Sequence, residues 1–274
     1  MTRTVAEKRA AFRAMHTSGC FVLPNPWDAG SARYLQTLGF QAVATTSSGF
    51  AWSVAHADNS LPRDAILAHL RDIVEATDLP VNADFENGFG EDPAGVAESV
   101  RLAVATGVAG LSIEDSTGDD RGSLFPIEVA VERLSAARRA IDENGGDTLL
   151  IGRAENFFAG LPDLDDTIAR LKAYAAAGAD CLYAPGISTR EQIEAVVAAV
   201  APKPVNLLIG STSTLTLQDV ATLGVRRISV GGALARAAWG GFMQAAQGLV
   251  KGRFDAFEGA ASGAQLNEIF KDRA

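Results

Sequence analysis

Residues 80–90 read PVNADFENGFG. Pro80 opens a short apolar run that stops at two acids, Asp84 and Glu86. Asn87, Gly88 and Gly90 make a turn, and Glu91-Asp92-Pro93 has the composition of a helix start. This pattern describes a buried strand that delivers carboxylates at its C-terminal end, where parallel α/β proteins carry their chemistry. Residues i and i+2 of an extended chain face the same way. Asp84 and Glu86 can therefore face one hard cation such as Mg²⁺, which prefers oxygen ligands. The plainer alternative is loop solvation and a helix cap.

The same unit recurs through the chain. Residues 20–23, 42–45, 109–113, 148–151, 180–183, 204–208 and 227–230 are further short apolar runs. Helical patterns fill 5–15, 29–38, 62–77, 93–106, 126–143, 164–177, 189–200, 217–223 and 233–251. Strands without polar alternation are strands covered on both faces. Eight of them alternating with helices predict a (β/α)₈ barrel of the TIM type over residues 1–250, entered by an N-terminal helix. An open doubly wound sheet is the runner-up, but no Gly-x-Gly-x-x-Gly follows the first strand. Residues 251–274 form a helical extension whose Leu266, Ile269 and Phe270 pack either on their own barrel or on another subunit.

Composition narrows the partners. A net charge of −9 argues against nucleic acid or an anionic membrane. No apolar run is long enough to span a bilayer, and residues 1–13 lack a signal region. Two cysteines, Cys20 and Cys181, read as buried free thiols, which fits a cytoplasmic setting.

At the strand ends of such a barrel stand Ser48, Gly49 and Asp58, then Asp84 and Glu86, then Glu114 and Asp115, then Arg153. Crowded acids repel unless a cation lies between them. Arg153 is a fork for a carboxylate, and Gly49 lets backbone N–H groups approach an anionic oxygen. Together they point to a metal-chelated oxyacid. Trp27 lines the mouth or packs on the adjoining helix, and His56 and His69 read as surface or helix-face residues. Gly231-Gly232 is a weak candidate for a phosphate at a helix start.

This set resembles the isocitrate lyase/phosphoenolpyruvate mutase superfamily. Ser48-Gly49-Phe50 is similar to its Ser-Gly-Gly or Ser-Gly-Leu turn, and residues 81–90 to its Ala-Asp-x-Asp-x-Gly-x-Gly signature, with Glu86 for the second aspartate. Ile113-Glu114-Asp115 resembles its strand-end Glu-Asp, and Arg153-Ala154-Glu155 its Arg-x-Glu. The correspondence runs in order from about residue 23 to 230. It implies Mg²⁺ (or Mn²⁺) held directly by Asp84, and through water by Asp58, Glu86 and Glu114. It implies a small 2-oxo acid or dicarboxylate held by Ser48, Gly49, Phe50 and Arg153, with bonds made or broken beside an enolate. It also implies a homo-oligomer, dimer or tetramer, that exchanges its C-terminal helix between barrels.

The departures limit the activity. Residues 116–126, STGDDRGSLFP, lack the Cys and His of the lyase loop and the Asn-Ser and Lys of the mutase loop; Arg121 is the loop's only cation. Pro185 stands where the lyases have a glutamate, and Asn206 lies two residues before their asparagine. A carbon–carbon lyase of decarboxylase or retro-aldol type is expected. A P–C bond mutase or hydrolase, and a non-catalytic barrel that binds a 2-oxo acid, are the alternatives.

Overall fold

The computed structural model describes residues 3–118 and 122–271. Strands β1 (Phe21–Leu23), β2 (Val43–Ala44), β3 (Val81–Asp84), β4 (Gly110–Glu114), β5 (Leu149–Arg153), β6 (Cys181–Tyr183), β7 (Val205–Leu208) and β8 (Arg227–Ser229) pair in parallel. Their order is β1-β8-β7-β6-β5-β4-β3-β2. The two ends meet through the Ala44 N–H, which donates to the Pro24 carbonyl at 3.0 Å. The sheet is therefore a nearly closed (β/α)₈ barrel, and the open-sheet alternative falls.

Around it lie α1 (Val5–Met15), α2 (Ala29–Thr37), α3 (Ser47–Ser53), α4 (Arg63–Ala76), α5 (Pro93–Ala105), α6 (Ile127–Glu143), α7 (Leu164–Ala176), α8 (Arg190–Val200), α9 (Leu217–Thr222), α10 (Ala233–Val250) and α11 (Gly263–Phe270). Local chemistry sets their ends. Asp92 caps α5 by accepting the Gly95 N–H at 2.8 Å, with Pro93 in the first turn. Gly107 (φ +91°) and Gly178 (φ +103°) end α5 and α7 in the left-handed backbone that glycine tolerates.

Two cores result from the period of two along each strand. Leu111 and Ile113 of β4 face out and join Leu70, Val100 and Leu134 under the helices. Inside the barrel, Leu23, Ala44, Leu149, Ile151, Cys181 and Tyr183 pack on Phe12 of α1. Helix α1 thus plugs the floor. Its Lys8 Nζ donates to the carbonyls of Val74 and Thr77 (3.2 and 2.6 Å), and Arg9 to those of Val108 and Val104 (3.0 and 2.7 Å). These bonds tie α1 to the C-terminal ends of α4 and α5 and to the chain entering β4.

Three expectations change. Residues 46–50 are not a turn but the start of α3, because Thr46 Oγ1 accepts the Gly49 N–H and caps a helix there. His69 is buried, its ring stacked on Phe50 at 3.8 Å. Helix α10 stands away from the barrel: Trp239, Phe242, Met243 and Val250 are exposed, and Ala235 and Gly248 are its buried residues. Helix α11 lies against α2, with the Phe270 ring beside Gly30. Both cysteines are free. Among the described residues no helix is long and apolar enough to cross a membrane.

Candidate active site

The C-terminal strand ends enclose a cavity of about 790 Å³, a size that suits a small ligand. Strands β3, β4 and β5 deliver Asp84, Glu114 and Arg153 into it, the last two directly paired in the ladder. Arg153 is the hub. Its Nη1 lies 3.1 Å from Asp84 and 3.2 Å from Glu114, and its Nε donates to Glu155 at 2.5 Å. The Tyr183 ring sits 5.1 Å from the guanidinium carbon. No described residue accepts from Arg153 Nη2, which leaves one arm of the expected fork for a ligand.

Asp84 is fixed from the other side. Its Oδ2 accepts both the N–H and the hydroxyl of Ser47 at 2.9 Å, at the first turn of α3. Its own N–H donates to Thr45 Oγ1 at 2.9 Å. Ser48 faces the cavity but shares its hydroxyl with Thr46 Oγ1 at 3.1 Å. Asp58 reaches the rim from the loop after α3.

The charge balance is lopsided. Asp58, Asp84, Glu114 and Glu155 line the cavity around the Arg153 guanidinium, and Glu86, outside the lining, is near enough to feel Asp84, Asp58 and Arg153. Burial raises Glu114 well above the usual carboxylate range against the pull of Arg153, with Glu155 and Asp84 adding to the rise. Burial likewise raises Glu155, and burial with the neighbouring Asp84 raises Asp58. Glu86 is pushed up to about 8 by burial, Asp84 and Asp58. For Arg153 burial opposes the charge, but Glu114 and Glu155 win and hold it well above its ordinary value.

These donors fit a hard cation in composition, being all oxygen. Among the described residues no three are close enough to hold an ion together.

The acidic loop is strained and clamped. Glu86 (φ +46°) and Phe89 (φ +56°) both take left-handed backbone, which costs a non-glycine residue about 1–3 kcal/mol. Arg133, fully buried on α6, holds the loop in place. Its guanidinium donates to the carbonyls of Asn87 and Gly90 at 2.9 Å and of Glu91 at 3.4 Å, and lies over the Phe125 ring. Asp115 points away from the mouth. It accepts from Tyr174 (2.5 Å), Arg170 (3.0 Å) and the Glu155 N–H (2.8 Å), and so sets the chain after β5.

Not every expected residue reaches the cavity. Trp27 and Phe50 line a separate outer cleft with His69. Gly49 is buried, and its Gly-only character comes from packing: an added Cβ would lie 2.6 Å from Thr46 Cγ2 and 3.0 Å from Trp27 Cβ. The N–H groups of Gly49 and Phe50 already bond within the helix, to Thr46. The Gly231 N–H is taken by Asn25 Oδ1. Asn206 lines the deep end of the cavity and is fully buried. Arg121 lies outside the described residues. Glu155 entered the sequence reading only as part of the Arg-x-Glu motif, without a role; Tyr183, Ser47, Arg133 and Arg227 were missed. A lone arginine opening an apolar strand could have flagged Arg227.

Residues 12–250 match the family model of phosphoenolpyruvate phosphomutase. The chain belongs to that family. A crystal structure from Burkholderia cenocepacia J2315, provisionally termed a lyase/mutase, is similar at 49% identity and TM-score 0.94, covering 98% of each chain. An oxaloacetate decarboxylase of Rhodopseudomonas palustris (strain TIE-1) is 32% identical over 237 residues, 82% of this chain and 77% of its own. A phosphonopyruvate hydrolase solved with oxalate and Mg²⁺ is 28% identical, with TM-score 0.83 over 96% of this chain and 94% of that one.

Proposed function

We propose that the protein is a Mg²⁺-dependent carbon–carbon lyase that acts on a small 2-oxo acid or dicarboxylate through an enolate. The observation that carries this reading is the cluster of five carboxylates at one guanidinium, four of them pushed up by burial and mutual repulsion. A divalent ion would relieve that repulsion. Asp84 would hold it directly and Asp58, Glu86 and Glu114 through water; Mn²⁺ suits the same oxygens. Bound there, the ion supplies Lewis-acid stabilisation of an enolate oxygen.

The chain's own groups do the rest. Ser48 and Arg153 Nη2 are the donors for the substrate's carboxylate. Loss of CO₂ breaks one C–C bond and leaves its electron pair in the enolate, so no base is needed at carbon. The enolate carbon then takes a proton, for which Asp58 and Glu114 are the candidate acids. This accords with a loop at residues 116–126 that carries no Cys, His or Lys. The oxaloacetate decarboxylase relative supports this reaction class. The phosphonopyruvate hydrolase neighbour favours a second reading, P–C cleavage.

The exposed Trp239, Phe242 and Met243 of α10 support a homo-oligomer, in which α10 and α11 would be exchanged between barrels, and the two free thiols suit a cytoplasmic enzyme.

The test is thermal unfolding with and without Mg²⁺ across pyruvate, oxaloacetate, 2-oxoglutarate, phosphonopyruvate and glyoxylate, then product detection. Mg²⁺-dependent stabilisation with release of CO₂ or a carbon fragment supports the lyase. Phosphate release moves the assignment to P–C chemistry, and stabilisation without turnover to a binding protein. No stabilisation by any of them removes the site assignment.

A further inference from the structure

The cavity continues below the acidic mouth. Two residues down β3 from Asp84, about 6.6 Å along the strand, Asn82 faces the interior and accepts from Arg227 Nη1 at 3.2 Å. Arg227 Nε donates to Asn206 Oδ1 at 2.8 Å, and Nη1 lies 3.5 Å from His16 Nε2. His16 donates from Nδ1 to the Phe12 carbonyl at 2.7 Å, and burial and Arg227 lower its pKa to about 3, which keeps the ring neutral with its lone pair on Nε2. Every one of these partners is uncharged. The arginine is 2% exposed, and among the described residues no carboxylate pairs with it.

A buried cation without a counter-charge is expensive. Arg227 nevertheless lines the same cavity as Asp84 and Arg153, and Tyr183, Ser112 and Ser229 line it as well. No described residue accepts from Arg227 Nη2. One end of the cavity thus holds surplus negative charge and the other an unanswered positive charge, with polar side chains between.

We propose that Arg227 is a specificity-determining residue that receives the second carboxylate of a short dicarboxylate whose first end sits at the mouth. The chain therefore selects four-carbon diacids over the matching monocarboxylates. This rests on the mouth being an oxyacid site, and it extends that site to the barrel floor.

L-malate and L-lactate test it, because they differ by that one carboxylate. Affinities are measured calorimetrically with Mg²⁺ on the full chain. The wild type should bind malate at least tenfold tighter than lactate, the scale of one charge-assisted contact. Arg227→Met should bring the two within about threefold, with malate losing more affinity than lactate. Should Arg227→Met fail to fold, Ser112→Leu, which narrows the passage with Arg227 intact, should give the same collapse. Lactate binding without a malate preference in the wild type, or a preference that survives both variants, overturns the floor subsite alone. Failure of the wild type to bind either acid overturns the mouth reading instead.

Discussion

The mouth and the floor of this barrel are opposites in charge. At the mouth five carboxylates crowd one guanidinium; at the floor one guanidinium has neutral amides and a neutral imidazole. Both are buried, and neither is neutralised by the protein itself. Structural ion pairs elsewhere in the chain close on themselves, as Arg170 does with Asp115 and Asp166. Imbalance left unrepaired at both ends of one cavity marks where the chain expects a ligand rather than a side chain.

The largest effect should come from breaking the mouth. Asp84→Asn keeps the shape and removes the charge that would bind the ion directly. Calorimetry should show Mg²⁺ and oxo-acid binding lost, with turnover reduced about a thousandfold or more; unchanged Mg²⁺ binding would sink the assignment. Next, Arg133→Met removes the clamp on the acidic loop without touching the cavity. Losing charge-assisted bonds to three carbonyls should cost about 3 kcal/mol in chemical denaturation. A cost near zero would mean that the loop holds its strained backbone unaided.

A third experiment separates the two ends by pH. Glu86 has a raised folded-state value of about 8 against an unfolded value near 4.5, so the folded protein binds the extra proton between those limits. Stability of the metal-free protein should therefore fall as pH rises from about 4.5 to 8, by at most about 1.4 kcal/mol per unit for one proton. Mg²⁺ competes with that proton, so its stabilising effect should grow over the same window. A pH-independent Mg²⁺ effect would separate Glu86 from the ion. The smallest effect belongs to the outer cleft. Phe50→Leu should cost about 1–2 kcal/mol through the lost His69 stacking and packing, with KM and kcat unmoved. A changed KM would return Phe50 to the substrate site.

Sequence reading reached the mouth but, at the floor, Asn206 alone, for a physical reason. Acids that end apolar runs, as at Asp84 and Glu114, announce themselves because polarity changes abruptly along the chain. Asn82, Ser112 and Arg227 lie within or at the start of strands, where one polar residue on the inward face looks like noise. Which partner a buried arginine finds across a barrel is a tertiary fact: Asn82 and Arg227 are 145 residues apart. The misread Thr46–Phe50 segment has a local cause. Thr, Ser and Gly favour turns and helix caps alike, and the cap prevailed once Asp84 could accept from the first helical turn.

Plugging the floor with α1 ties folding to the whole length of the chain. The carbonyls that Lys8 and Arg9 need lie 66 to 99 residues downstream, and His16 meets Arg227 only 211 residues later. During synthesis this helix therefore emerges long before its seat is complete, and Phe12 is covered only as the strands it packs on are made. Contacts so distant in sequence slow folding and leave apolar surface open meanwhile.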